Sequence, residues 1–554
     1  MSTIDPRPQA GNGQAARPTP AAPGGAADPH GSAGERGTPP LPPLRRRPSW
    51  WSRLVLGALA LVVASALGWA AAEELRTSEL QAGFLSRFAR GLTFAVEPGP
   101  NPDMRYPDGG PYDRRLGYTL LPFFADSLGG QGFVVERQAR ASARLDAFVA
   151  RGGFPVFHEK TRAGLSLIDH TGRVLFAARF PERVYERFEQ VPPVLVETLL
   201  FIENRELLDR RFPRRNPAVE WDRFAAALAT QLVHRVDPHV QTAGGSTLAT
   251  QIEKYRHSPE GRTTDATEKL RQMLSASVRA YLDGVDTHEA RRRLVVAYLS
   301  STPLSARPGF GEVNGIGDGL WAWYGTDFEA ANRVLAGPAE DAGAMLLRGV
   351  VYKQVLSLLL AQRRPSFYLL QDRNELATLT DTYLRLLRSA GVIDRELAEV
   401  ALAVRLSFEE RPPLPEDSFL ERKAASAVRR HLLSLLKLPS LYTLDRLDLT
   451  VETTLDLPTQ RRVTDVLREL TDPTKVVAHG LDGGRLLGRG DPARVSYSVT
   501  LYERGADANH VRVQADNLDQ PLDLNEGTKL ELGSTAKLRT LVTYLEIVAA
   551  LHGR

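Results

Sequence analysis

Four consecutive residues, Gly244-Gly245-Ser246-Thr247, stand directly before an apolar-periodic run through Leu248 and Ile252. Paired glycines let the backbone turn where a side chain would block it, and let a ligand approach closely. Ser246 and Thr247 occupy the place of a helix N-cap. A helix start with free N–H groups and hydroxyls is a ready anion site, although an ordinary capped helix explains the same four residues. A second pair with chemical reach is Ser534 and Lys537. Their spacing puts both on one face of a helix, where the lysine amine can take the serine proton.

The flanks of the first motif narrow its meaning. Upstream comes Phe201-Ile202-Glu203-Asn204-Arg205. Downstream come Gln251-Ile252-Glu253-Lys254, then Ser258-Pro259-Glu260-Gly261-Arg262-Thr263, then Glu268-Lys269. In that order they resemble the glycosyltransferase family 51 domain, the peptidoglycan polymerase of class A penicillin-binding proteins. The hallmarks of that family are Glu-Asp-Arg, Gly-Gly-Ser-Thr-x-x-x-Gln, a Ser-Pro-Glu-Arg-Thr-like loop and an Arg-Lys-x-x-Glu helix. Order and spacing over residues 185–410 carry the likeness.

The resemblance implies a polymerase that joins lipid-linked disaccharides (lipid II) into a growing glycan strand. Glu203 matches the family's catalytic base, for which the chemistry calls for a carboxylate in a largely apolar pocket. Arg205 matches its basic partner, and Asn204 replaces the usual Asp. The leaving pyrophosphate needs positive charge, from side chains or from a divalent metal such as Mg2+ or Mn2+. No metal ligands are assigned. By resemblance, Gly244, Gly245, Ser246, Thr247 and Gln251 line the same cleft, with Lys254 and Lys269 as the cations and Arg271 and Arg279 as weaker candidates.

Several motif positions depart from the pattern. Val296, in Leu294-Val295-Val296-Ala297-Tyr298-Leu299-Ser300, stands where the family has a second glutamate. Gln272 and Glu268 replace the Glu and Arg of the Arg-Lys-x-x-Glu helix, and Leu379 and Thr380 fall on a closing Arg-Arg pair. A polymerase and a catalytically degenerate scaffold that binds lipid II or cell-wall assembly proteins therefore both stay open.

The elements that must position these groups follow from the rest of the 554-residue chain. Its 43% hydrophobic and 25% charged content is that of globular domains. A net charge of +4 gives no support to a nucleic-acid role. Cysteine is absent, which excludes disulfides and thiolate metal sites.

Residues 1–48, rich in Pro, Gly and Ala, read as a disordered tail. Arg45-Arg46-Arg47 and Trp50-Trp51 then lead into the charge-free run Leu54–Ala72, so residues 49–75 read as a single membrane anchor. The arginines place the N-terminus in the cytoplasm and the bulk of the chain in the periplasm, on a bacterial inner membrane. Residues 76–184 read as a small α+β module, with strands at Gly132–Arg137 and Ala163–Asp169 and a turn at Asp169–Gly172.

From Val191 onward the periodicity is helical, through Asp222–Val233, Thr267–Leu282, Arg291–Leu299, Leu346–Leu360 and Asn374–Val404. Residues 411–448 read as a linker. Leu449–Gln460 resembles the opening strand and helix of a penicillin-binding transpeptidase domain, with further strands at Val495–Tyr502 and His510–Val513 before Ser534 and Lys537. The motifs that complete such a site are not found before Arg554, so residues 449–554 are expected as a partial domain without transpeptidase activity. The expected fold is thus mainly α: a lysozyme-like transglycosylase domain with a membrane helix, a small β-containing module and the α/β beginning of a transpeptidase domain.

Overall fold

The structure, a computed structural model, describes residues 50–107, 109–220, 246–410, 419–482 and 490–553, apart from 521–522, 526–527, 530 and 532. The expected tail, the Asp222–Val233 helix, Gly244 and Gly245 lie outside the described residues. The chain divides into two units, Met1–Leu67 and Gly68–Arg554. The architecture is mainly helical with a few small sheets. A helix runs from Trp50 to Thr77, and its stretch Leu54–Thr77 is apolar enough to cross a membrane and has none of its side chains buried. In the second unit, the Glu74 carboxylate accepts from the N–H groups of Leu80 and Gln81, 2.8 and 2.9 Å away, and so caps the helix Glu79–Ala89.

The largest core is built mainly from the helices Pro193–Glu203, His288–Ser301, Ala342–Ala361, Arg373–Ser389 and Arg395–Ala403, with Leu248 and Ile252 and the helix Phe328–Ala336 adding to it. Each begins for a local reason. Pro193 preorganises the first turn of its helix. Asp341, Asp372 and Asp394 accept from the amides of Ala344, Glu375 and Leu397 at 2.7–2.8 Å. Ala342–Ala361 also has the length and apolarity of a membrane span, yet it is mostly buried and serves as the central core helix. Gly391, at φ +71°, makes the reversal between the last two helices that a side chain would strain.

A second core lies outside these helices. Leu165–Ile168 pairs antiparallel with Val174–Ala177 and parallel with Leu449–Glu452. One sheet is therefore built from the module before the helical domain and from the segment after it. The expected turn at Asp169–Gly172 joins its first two strands, with Asp169 Oδ1 accepting from the amides of Thr171 and Arg173. The expected strand at Gly132–Arg137 begins only at Arg137, and runs to Ala141 against Phe94–Pro98; Phe133, Val134 and Val135 are exposed.

Within the span read as a linker, Phe419–Leu435 is a helix. Ala425, Leu432 and Leu436 close over Leu165 and Leu167 of the sheet. A basic helical segment is legible among the prolines of this span; its packing against the sheet is not. Further on, Leu457–Glu469 packs on the hairpin Ser498–Arg504/Asn509–Asp516. The Gln460 amide both donates to Gln514 O at 3.0 Å and accepts from Gln514 N at 2.9 Å.

One buried group of charges joins the N-terminal module to the helical domain. The helix Leu248–His257 ends in Arg256 and His257, both buried. His257 Nδ1 lies 3.0 Å from Asp113 and its Nε2 lies 2.7 Å from Glu159. Glu159 also receives Arg256 at 2.6 Å and Arg279 at 2.7 Å, and Arg279 reaches on to Glu253 at 2.7 Å. Burial alone would raise the Glu159 pKa, but Arg279, His257 and Arg256 hold it well below the usual carboxylate value. Burial would lower His257, but Glu159 and Asp113 push it up to about 9. The imidazole is therefore a cation at neutral pH, and every charge in the group has a partner.

Glu159→Gln leaves Arg256, Arg279 and His257 without their shared anion, and is expected to cost about 3–5 kcal/mol in denaturant unfolding. The His257 contribution has a defined sign. Its folded pKa, about 9, exceeds the ordinary 6.5, so its stabilisation is fully present below pH 6.5 and lost as pH rises through 9. Urea midpoints should fall across that window, and His257→Asn should flatten the slope.

Candidate active site

Glu203 is the last residue of the helix Pro193–Glu203, where the chain leaves helical geometry at Asn204. Two side-chain amides hold its carboxylate. Gln251 Nε2 donates to Oε2 at 2.8 Å, and Gln362 Nε2 donates to Oε1 at 3.1 Å. The carboxylate faces a cleft of about 540 Å3 whose walls include Phe201, Arg205, Arg215, Glu220 and Tyr383. Arg205 is exposed and lies over the Phe201 ring at 4.2 Å. On the core side stands Tyr298, buried, with its hydroxyl pushed well above the ordinary value by burial and then by the negative charge of Glu203. That hydroxyl stays protonated beside the carboxylate.

Gln251 comes from the helix Leu248–His257, and the start of that helix explains its placement. Thr247 Oγ1 accepts from Thr250 N at 3.3 Å, while Thr250 Oγ1 accepts from Thr247 N at 2.9 Å. Thr247 also donates to Ala218 O at 3.2 Å and is buried. Its hydroxyl is the N-cap, spent on the fold. Ser246, one residue earlier, is exposed and accepts from Lys269 Nζ at 2.7 Å.

Lys254 follows Gln251 by three residues on the same helix, so both lie on one face. Burial lowers its pKa, and the charge of Glu203 opposes that shift. Lys269 comes from the neighbouring helix Ala266–Ala280, and is lowered to about 8 by burial and then by the charge of Lys254. Lys269, bonded to Ser246, is thus partly dehydrated and within reach of the Lys254 charge, and Lys254 is within reach of the Glu203 charge. Two such lysines suit a ligand of more than one negative charge.

The remaining motif positions serve packing. Val296 is buried in the main core. Gln272, fully buried, donates to Ser258 Oγ at 2.9 Å and Thr263 Oγ1 at 3.0 Å, fastening the loop after His257 to the next helix. Leu379 packs on the core, and Thr380 donates to Leu376 O within its own helix. Arg279 points into the buried charge group, and Arg271 lies over Phe154 at 4.2 Å. Ser534 and Lys537 are exposed, on a turn and on the helix Ala536–His552 that follows it; no described residue of that helix is buried, so Leu541, Leu545 and Val548 face solvent.

Sequence reading did not single out Gln362 or the hydroxyl of Tyr298 as site groups. The available signal was a polar residue directly after the apolar run Leu358–Ala361, and a tyrosine amid Val295, Val296 and Leu299. The coupling of the lysines is directly testable. Lys254→Met removes the like charge and should raise the Lys269 pKa above about 8, read by NMR of 13C-methylated lysines; an unchanged value would separate the two side chains.

A family model described as Transglycosylase matches residues 172–406, a span that contains Glu203, Gln251, Lys254, Lys269 and Gln362. No curated protein matches the chain. The matched span opens in the sheet of the second core and closes just after the helix Arg395–Ala403. Over those residues, less than half of the chain, the protein is similar to transglycosylase domains, in agreement with the resemblance of residues 185–410 to glycosyltransferase family 51.

Proposed function

We propose that this protein is a membrane-anchored peptidoglycan glycosyltransferase that polymerises lipid II, with Glu203 as the general base. The observation that carries this reading is the Glu203 carboxylate held by two amides at a cleft, with the charge of Glu203 acting on Lys254 and that of Lys254 acting on Lys269. Glu203 takes the proton from the acceptor sugar hydroxyl. The hydroxyl oxygen bonds to the donor's anomeric carbon as the bond from that carbon to the pyrophosphate oxygen breaks. Lys254 and Lys269, with Ser246, receive the charge of the leaving polyprenyl pyrophosphate. Tyr298, kept neutral by its surroundings, supports the geometry from the core side.

Among the described residues no group of three His, Asp or Glu side chains converges on a point that could hold Mg2+ or Mn2+. The anchor Leu54–Thr77 keeps the domain at the surface where its lipid substrate resides. With Arg45–Arg47 on the cytoplasmic side, catalysis takes place in the periplasm of a bacterial inner membrane.

One observation favours a second reading, a scaffold that binds lipid II without turning it over. Val296, at the position of the family's second glutamate, is packed into the core where no carboxylate could be solvated. Polymer formation from lipid II separates the two. An enzyme should lose at least about 100-fold in rate on Glu203→Gln, which keeps shape and removes basicity. A scaffold should give no polymer in either form while both still bind lipid II. Polymer unchanged by Glu203→Gln would remove Glu203 from the role of base.

The pH profile supplies a further expectation. Lys269 is charged only below about pH 8, so kcat/KM should fall as pH rises through that value. Lys269→Arg, charged throughout, should move the alkaline limb upward; a limb that stays in place would assign it to another group.

A further inference from the structure

A second cavity, of about 530 Å3, lies one helical turn from the candidate active site. Tyr255, four residues after Gln251 on the same helix face, lines it, and Ser301 lies 3.2 Å from the Tyr255 hydroxyl. Its other walls come from both sides of the transglycosylase domain. Arg115 precedes the domain in the chain, and Tyr442 and Arg446 follow it.

The charges in this cavity are unbalanced. The side chains of Arg115 and Arg446 are 14% and 8% exposed, and both turn to one carboxylate, Glu312, whose side chain is 53% exposed. Arg446 pairs with it at 2.9 Å, and Arg115 reaches it only at 4.0 Å. The Arg446 guanidinium is stacked 3.8 Å from the ring centres of both Phe180 and Tyr442, which fixes its plane. Arg115 also reaches Asn314 Oδ1 at 3.5 Å and lies over the Phe180 ring at 5.2 Å, and its Nε has no hydrogen-bond partner among the described residues. Burial draws Arg115 down to about 10, and the charges of Arg446 and Arg256 add to that while Glu312 opposes it. A sheltered guanidinium with unused donors is costly to maintain, and a carboxylate matches its planar fork.

We propose that this cavity is a carboxylate subsite for the glycan chain on which Glu203 acts, Arg115 and Arg446 gripping the acid group of a peptide-bearing sugar. The proposal rests on the glycosyltransferase reading of the Glu203 cleft. The pyrophosphate end of such a substrate is served by Lys254 and Lys269, so the arginines meet the other anionic group it carries, the carboxylates of its peptide. The hydroxyls of Tyr255, Ser301 and Tyr442 and the amide of Asn314 suit a sugar or peptide backbone better than an apolar chain.

The test is calorimetric titration of the full chain in detergent with a soluble disaccharide–tetrapeptide that lacks lipid and pyrophosphate. Wild type should bind it, and Arg446→Gln and Arg115→Gln should each weaken binding at least tenfold. Blocking the peptide carboxylates as amides should do the same. Because Arg115→Gln could fail to fold, Thr443→Glu, which adds a carboxylate to the cavity wall, provides an independent variant with the same expected loss. Glu203→Gln should abolish polymerisation and leave this affinity unchanged. Equal affinity in wild type and Arg446→Gln, or binding of inorganic phosphate in place of the glycopeptide, would overturn the subsite. Glycopeptide binding through Arg446 together with undiminished polymerisation by Glu203→Gln would overturn the catalytic reading and leave the subsite standing.

Discussion

Everything proposed for this protein hangs on the ten-residue helix Leu248–His257 staying in one register. It presents Gln251 to Glu203, sets Lys254 where the charge of Glu203 reaches it, and turns Tyr255 toward the arginine cavity. A slip of one residue would rotate each of these side chains by about 100° and dissolve the site. The helix is held at both ends by polar contacts that tolerate no slip. At its start the reciprocal Thr247–Thr250 bonds satisfy its first free amides. At its end Arg256 and His257 are locked among Asp113, Glu159 and Ser301. Greasy packing alone would allow neighbouring registers of similar energy; paired buried charges do not.

This choice has a cost that the chain meets by close pairing. Removing several ionised groups from water is unfavourable unless each finds a partner of good geometry. Glu159 lies against three cations, and Arg279 satisfies Glu253 as well as the carbonyl oxygens of Phe157 and Pro155. Those carbonyls and Glu159 belong to the segment before the transglycosylase span. The small N-terminal module is thus part of what holds the helix Leu248–His257, rather than a spacer between it and the apolar helix Leu54–Thr77.

Much of this was legible in the sequence where local chemistry decides the outcome. Pro193 and Gly391 fix helix ends through their own backbones and the Asp caps through their own carboxylates, and the core helices lie where period and apolarity place them. Glu203, Gln251, Lys254 and Lys269 were readable because their order along the chain is mirrored in space. What was hidden depends on distant partners. Glu159 and His257 look like ordinary surface residues until the fold places them 2.7 Å apart, 98 residues away from each other in the chain. The helix Phe419–Leu435 shows in the sequence as a basic helical segment, but nothing local tells that its apolar face covers a sheet whose first strands lie far upstream. Thr247 shows the opposite limit: a hydroxyl in the right motif can be consumed by the helix it caps.

The parallel pairing of Leu165–Ile168 with Leu449–Glu452 carries a consequence for how the chain is assembled. Thr453 donates to Ile168 O across 285 residues of intervening sequence, and those residues include the whole transglycosylase span. Topologically the helical domain is a long insertion between Val174–Ala177 and Leu449–Glu452 of a three-stranded sheet, clasped where it begins and where it ends. Closing a loop of that length costs about 5 kcal/mol of chain entropy if the intervening chain is still unfolded, and far less once a compact domain has brought its own ends together. During synthesis the N-terminal strands must therefore wait with an open edge until the helical domain has emerged and folded. The edge of Leu165–Ile168 is left for a partner more than half the chain away, and the seam closes last.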